Sequence, residues 1–486
     1  MTNILIRNVT TVTMDNERRV IDDASIAIGG DRIVSIEKGN VSGDEQKYTK
    51  IIEGKHMVAL PGLIDCHSHA GHCLVRSLGA GDGTAWFDAC AAIYSHYSTV
   101  GFWHVEAQLA QLERLKSGVT TALTLLGGGA DIYRTDDPLF GDKHCEATIE
   151  SGLRTILAVG PGQIPFPQRF TRIDDSNPFT YDVSFEKQLE VSENLIQRWN
   201  DVINRRTGVC LIMPVYKEAD VKNGSSVREE IIKMSREMSK LRTKHNVLFT
   251  QDGHCNGTVR VAQDLGLLGS FALLSHSVEL THEDISALKS TGANVVHNPS
   301  AIMSVYGRCP APELIGEGVN VCIGSDAGAP DRGFDMFKHM TQCMHYHRRH
   351  FRDPSWMPPG KVLEMITIDA AKALGLENEI GSIEPGKKAD IVLVDMRKPH
   401  LYPSNMPVTK LAHFVNAADV DTVIVDGKIL LSNRVPQNVD EEKILDSADV
   451  EMSMTLKRSG LEHLSIEPPE FWGKNKRQTK DYPVRK

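Results

Sequence analysis

The sequence predicts an α/β protein, a (β/α)8 TIM-type barrel with a small β-sandwich domain assembled from both chain ends. Three features lead there. Short β-rich runs alternate with helical windows through residues 61–378, hairpin-like stretches bracket that region on both sides, and unusual polar residues stand at the ends of the apolar runs.

Residues 1–60 read as the first part of the β-domain. ILIRNVTTVTM, ASIAIGGDRIVSIEKG and HMVALPG are short strands parted by Asn-Glu, Gly-Gly and Gly-Asp turn signals. Residues 379–436 read as its second part, in which GKKADIVLVDM is followed by VDTVIVDGKILLSNRVP, a strand, an Asp-Gly turn and a second strand. Neither end has enough strands to close a core alone, so the two are expected to pair. Residues 437–486 are a helical or irregular extension, and its basic end, GKNKRQTKDYPVRK, is read as a solvated tail.

Between the ends, residues 61–378 carry the barrel. GLIDCHSHA is its first strand, and TALTLL, TILAVG, VCLIMPV, NVLFTQ, FALLSH, ANVVHN and VNVCIGSD continue the series. The windows VEAQLAQLERLKSG, SVREEIIKMSREMSKLRTK and PGKVLEMITIDAAKALG place apolar residues three and four apart, the spacing of crossover helices.

Composition removes several function classes. The 486 residues are 41% hydrophobic and 24% charged with a net charge of -9, which gives no reason to expect nucleic acid. No window approaches about 18 uninterrupted apolar residues, and MTNILIRNVTTV lacks the form of a secretory leader, so neither a membrane nor export is expected. Nine scattered cysteines without a CxxC pair fit reduced thiols and a cytoplasmic setting.

The polar strand ends carry the chemistry. Alternate strand residues share a side, so His67 and His69 in GLIDCHSHA reach one common point while Ser68 faces away. Neutral imidazoles suit a borderline cation such as Zn²⁺. FALLSH stops at His276, VNVCIGSD at Asp326, and NVLFTQ at Gln251 with His254 three residues beyond. One barrel mouth shared by all of these is the economical account, because scattered burial of so many polar groups is costly.

The order of PGLIDCHSHA, SGVTTAL, LLSHSVELTHEDI, VVHNPSA, GVNVCIGSDAGA and IGSIEPGKKADIVLVD resembles the amidohydrolase superfamily, from Ile4 to about Arg434. The resemblance is to the branch of triazine hydrolases, cytosine-, guanine- and adenosine-type deaminases, and phenylurea and thiocarbamate hydrolases. It implies His67 and His69 as metal ligands, and Asp326 as a ligand that also takes a proton from water. It implies His276 as the group that bonds that water or polarises the scissile group. It further implies one divalent metal per subunit, zinc first with cobalt, iron or manganese also compatible, and a homo-oligomer. The fifth strand departs from the branch's His-x-x-Glu, since Gln251 and His254 stand in those places. Gln251 completes the metal site with His254 as the proton carrier, or His254 swings inward through Gly253 and becomes the ligand, or the position stays vacant.

A metal so held lowers the pKa of water toward 7. With the glutamate missing, expulsion of ammonia from a ring lacks its usual acid. Cleavage of a C-N or C-S bond in a small urea-, carbamate- or thiocarbamate-like molecule is therefore ranked first. Aminohydrolysis of an N-heterocycle is the alternative, and a silent scaffold is third. Trp86, His297, Met303 and Tyr306, in the loops after the first and seventh strands, are the candidates for lining the substrate pocket. His345, His347 and His350 in CMHYHRRH are read as a solvated face of a crossover helix.

Overall fold

A computed structural model describes residues 3–39, 45–128, 133–173, 178–200, 206–326, 328–468 and 472–473. Residues 474–486 of the basic tail lie outside them.

Eight parallel strands in chain order form the barrel: β1 (Leu63–His69), β2 (Val119–Leu125), β3 (Arg154–Val159), β4 (Thr207–Ile212), β5 (Phe249–Gln251), β6 (Ala272–Ser275), β7 (Asn294–His297) and β8 (Val321–Ile323). Polar contacts draw the first and last strands together. Asp326 N donates to His67 O at 2.9 Å, and Ser325 donates twice to Asp65, from N at 2.9 Å and from Oγ at 2.6 Å.

Strand alternation sorts the barrel's side chains into two cores. Cys66, Leu123, Ala158, Cys210, Ile212, Leu273, Val296 and Cys322 belong to the inner cluster, while Val209, Leu211, Phe249, Leu274, Val295 and Ile323 pack outward with the helices. The crossover helices after β1, β4 and β8 are Val100–Lys116, Arg228–His245 and Met336–Phe351. Local chemistry sets their ends. In the helix His282–Thr291, Thr281 Oγ1 accepts from Asp284 N and the Asp284 carboxylate accepts from Thr281 N, and Gly292 closes it at φ 73°. The window PGKVLEMITIDAAKALG makes two short helices rather than one, Pro359–Glu364 and Ile368–Ala373. Thr367 breaks it at φ -132°, ψ -97°, with its hydroxyl bonded to Leu363 O at 2.6 Å.

The chain ends meet in one sheet. Strands Asn3–Val12, Val20–Gly29, Arg32–Lys38, Lys50–Glu53 and Met57–Pro61 join Ile391–Asp395, Val420–Val425, Lys428–Ser432 and Val435–Pro436. Ile391–Asp395 pairs antiparallel with Met57–Pro61, so the late segment sits against the early one. Ile33 N also bonds Lys387 O at 2.9 Å, and Gly386 N bonds Ile33 O at 2.8 Å, curling the far edge back over an isoleucine-rich core. A buried ion cluster fixes this domain to the barrel, with Arg154 on β3 donating to Asp390 at 2.6 Å and Asp426 at 2.9 Å. Removing one partner would strand the others' charges, at a cost of about 3–5 kcal/mol. No helix among the described residues is long and apolar enough to cross a membrane.

Candidate metal centre

Four strand ends deliver five side chains to one place. β1 gives His67 and His69, β5 gives Asp252, β6 gives His276 and β8 gives Asp326. His67 Nε2 lies 3.3 Å from Asp252 Oδ1 and 3.7 Å from Asp326 Oδ1. His69 Nε2 lies 3.2 Å from Asp326 Oδ1 and 3.5 Å from Asp252 Oδ2. His276 Nε2 is 3.0 Å from Asp252 Oδ1 and 3.9 Å from Asp326 Oδ1.

These spacings match donors that share one cation. Two ligands at about 2.0–2.1 Å from a tetrahedral zinc stand roughly 3.3 Å apart. The donor chemistry fits as well. His69 Nδ1 donates to Gly127 O at 2.9 Å, and because a carbonyl only accepts, Nε2 keeps its lone pair toward the cluster. Both ring nitrogens of His67 are buried without a hydrogen bond, as is His276 Nδ1. The backbone is bent to serve the site, since His276 at φ 63° and Asp326 at φ 73° both lie in the left-handed region.

Electrostatics point the same way. Burial raises the carboxyls of Asp252 and Asp326, but the neighbouring histidines outweigh it and hold both well below the usual carboxylate range. Burial lowers His67, yet Asp252 and Asp326 overcome that and push it up to about 10. A pocket that keeps two carboxylates ionised and favours positive charge between them has the electrostatics a cation site needs.

The predicted residues divide. His67, His69, His276 and Asp326 come together. Gln251 does not join them, because its Nε2 donates to Pro214 O at 2.9 Å. His254 sits aside, its Nδ1 bonded to Thr258 Oγ1 at 3.0 Å, and burial keeps the ring neutral with a pKa of about 4. Alternation is the reason: Phe249 packs outward, so Gln251 does too, and Asp252, one residue past β5, turns inward. That parity was readable in the sequence once Phe249 was taken as a helix-facing residue.

Beside the cluster lies a cleft of about 260 Å³, lined among others by His72, Trp86, Phe87, Met303 and Arg332. Of the four expected lining residues, Trp86 and Met303 are there. Tyr306 instead stands largely exposed, and His297, at the outward-facing end of β7, turns its ring toward the helix Met336–Phe351. His347 on that helix is buried against it, correcting the solvated reading, while His345 and His350 are exposed.

Two further groups emerge only in three dimensions. Arg332 donates from Nη1 to Asp326 Oδ2 at 2.7 Å, leaving Oδ1 for the cluster. His72 stacks on His69 at 4.9 Å with a 7° interplanar angle, and its Nδ1 meets Tyr94 OH at 2.7 Å. Gly128 makes room for that ring, since a Cβ there would come within 2.1 Å of His72 Cε1.

Comparison with known proteins follows the same line. The model described as "Amidohydrolase family" matches residues 58–430. A 5-methylthioadenosine/S-adenosylhomocysteine deaminase of Thermoanaerobacter pseudethanolicus is 30% identical over 91% of this chain and 97% of its own length. A 5'-deoxyadenosine deaminase of Methanosarcina mazei is 28% identical over 92% and 97%. Among solved structures, a zinc-bound adenosine deaminase from Xanthomonas campestris superposes with a TM-score of 0.77 at 20% identity, covering 94% of this chain and 99% of that one. A zinc complex of atrazine chlorohydrolase from Arthrobacter aurescens TC1 gives 0.74 at 20%, covering 92% and 100%.

Proposed function

This chain belongs to the amidohydrolase family, and from that premise we propose that it is a zinc-dependent aminohydrolase releasing ammonia from an amino-substituted N-heterocycle of the adenosine type. The coarser statement stands by itself: it is a metal-dependent hydrolase of C-N bonds other than peptide bonds. The observation that carries the finer one is the inward carboxylate of Asp252, set among three imidazoles beside a cleft suited to a small ring system. The relatives whose names are adenosine-type deaminases support the same reading.

That order reverses the one set from the sequence alone. The urea-like reading rests on a missing glutamate and hence a missing proton carrier. Asp252 supplies a carboxylate from the same strand end.

His67, His69 and Asp326 would hold the zinc, with Asp252 and His276 within reach of the same point. Zinc held by such a set would lower the pKa of water. Asp252 takes the proton released as water adds to the ring carbon and passes it to the departing amine, so that water and the amino-heterocycle leave as ring carbonyl and ammonia. His276 donates to the developing negative charge. Arg332 pins one oxygen of Asp326 and so orients the other. Trp86 and Phe87 offer aromatic surface to a planar ring.

The test is a panel assay on zinc-loaded protein, scoring ammonia from adenosine, 5'-deoxyadenosine, 5-methylthioadenosine, cytosine and guanine against amine or thiol from a phenylurea and a thiocarbamate. Ammonia from an adenosine-type compound is expected. Inertness toward every amino-heterocycle, with turnover of the urea or thiocarbamate, would replace this reading by the other.

A further inference from the structure

A second constellation lies outside the barrel axis, between the end of β7 and the helix Met336–Phe351. His297, Cys343 and His347 are each fully buried, and one donor atom from each lies within 4.8 Å of the others. Cys343 and His347 are four residues apart on one helix and share its inner face. His297 reaches them because alternation turns it outward from β7.

The two imidazoles meet at 3.2 Å, Nε2 to Nε2, with ring centroids 5.1 Å apart. Two nitrogens on one tetrahedral zinc stand about 3.3 Å apart for bonds of about 2.0–2.1 Å. Among the described residues the only hydrogen bond of either ring is to the other, and Nδ1 of each is buried without a partner. Burial keeps both rings neutral, His347 at about 4, which is the form a metal requires. Arg308, the nearby cation, is tied to Glu313 by both terminal nitrogens.

From this geometry we infer that His297, Cys343 and His347 form a second cation site, distinct from the catalytic cluster and selective for Zn²⁺ or another thiolate-seeking ion. One thiolate and two imidazoles reject Mg²⁺ and Ca²⁺, which take oxygen ligands. Binding releases the Cys343 thiol proton to solvent and leaves both imidazoles neutral. The site serves as a fastener, because the same helix already holds the loop after β7 through Tyr346, whose hydroxyl lies 3.1 Å from Ser304 O and 3.0 Å from Gly307 O. That loop carries Ile302 and Met303 into the cleft.

Cobalt separates the two sites, since the catalytic set contains no sulfur. Metal-stripped protein titrated with Co²⁺ alone should take up two equivalents per chain and develop a thiolate-to-cobalt charge-transfer band in the near ultraviolet. C343S should bind one equivalent without that band. The double variant His67→Ala, His69→Ala should bind one equivalent with the band intact, whatever its activity. Should C343S not fold, H347Q and the wild-type spectrum carry the test. A wild type that saturates at one equivalent with no thiolate band, or a band that survives C343S, overturns the inference.

Discussion

Replacing Asp252 by Asn isolates the charge of the fifth-strand carboxylate. The substitution keeps the side chain's size and the Oδ1 acceptor that Ser275 Oγ uses at 2.7 Å. It removes the negative charge that His67, His69 and His276 face at 3.3, 3.5 and 3.0 Å. At an effective dielectric near 20, that charge attracts a unit positive charge about 3.3 Å away, such as a transferred proton or a bound cation, by roughly 5 kcal/mol. A lost general acid-base group costs about 10²–10⁴ in rate, or ~3–5 kcal/mol of barrier. The two scales agree, so kcat for ammonia release should fall by at least about 100-fold. Zinc per chain, measured on the same samples, divides the cause: retained zinc makes Asp252 the proton carrier, and lost zinc makes it a ligand. Gln251→Ala and His254→Gln, in contrast, should keep kcat within about tenfold of the parent, because neither side chain joins the cluster. A zinc-loaded D252N with undiminished kcat, or a loss in Q251A or H254Q as large as in D252N, refutes the assignment.

Two other perturbations probe the surroundings. Arg332→Gln frees Asp326 Oδ2 from its 2.7 Å ion pair, and loss of such an outer contact typically lowers metal affinity or activity about 10–100-fold. Competition against a chromophoric chelator reads the affinity, and an R332Q that matches the parent in both affinity and kcat/KM would dismiss Arg332 as a positioning residue. His144, on the helix Pro138–Ser151, is buried with neither ring nitrogen hydrogen-bonded, and burial, aided by the charge of Arg114, lowers its pKa to about 3. The unfolded chain, with a histidine pKa near 6.5, binds that proton first, so stability is full above pH ~6.5 and declines as pH falls toward 3, by about 2 kcal/mol at pH 5. Urea midpoints at pH 7.5 and 5 should show that difference shrinking in His144→Leu, and an identical difference in both proteins would exclude His144 as its source.

The barrel and the terminal sheet were legible because period-two apolar runs and turn dipeptides are local signals that packing reinforced. His67, His69, His276 and Asp326 were legible as a group because each stands in or just beyond the end of an apolar strand. PGKVLEMITIDAAKALG was misjudged because apolar spacing alone cannot register the Ile-Thr-Ile run and the Thr367 hydroxyl that compete with the helix. Arg332 left no signal, since its reach to Asp326 depends on the path of the connecting loop. His72 was hidden for the same reason, its place depending on the bare backbone of Gly128, more than fifty positions away.

Asp252 goes unmarked in the sequence, and His297 is placed wrongly, for one reason. Gln251 and His254 follow from position in the resembling motif, and His297 from its assignment to the loop after the seventh strand. The deciding question is which way the pleat faces. The apolar neighbours answer that question in both strands. Phe249 lies with the helices, so Thr250 and Asp252 face the axis, whereas Val296 lies in the inner core, so Val295 and His297 face the helices. The same alternation therefore puts a carboxylate into the candidate metal cluster and sends a strand-end histidine out to meet Cys343 and His347. Within a strand the pleat decides which way a polar residue faces; past the strand end the backbone can reverse it, as at His276, which follows the outward Leu274 by two yet turns inward at φ 63°. Where the pleat turns such a residue outward, as at His297, its chemistry is to be sought behind the sheet, against the helix that follows.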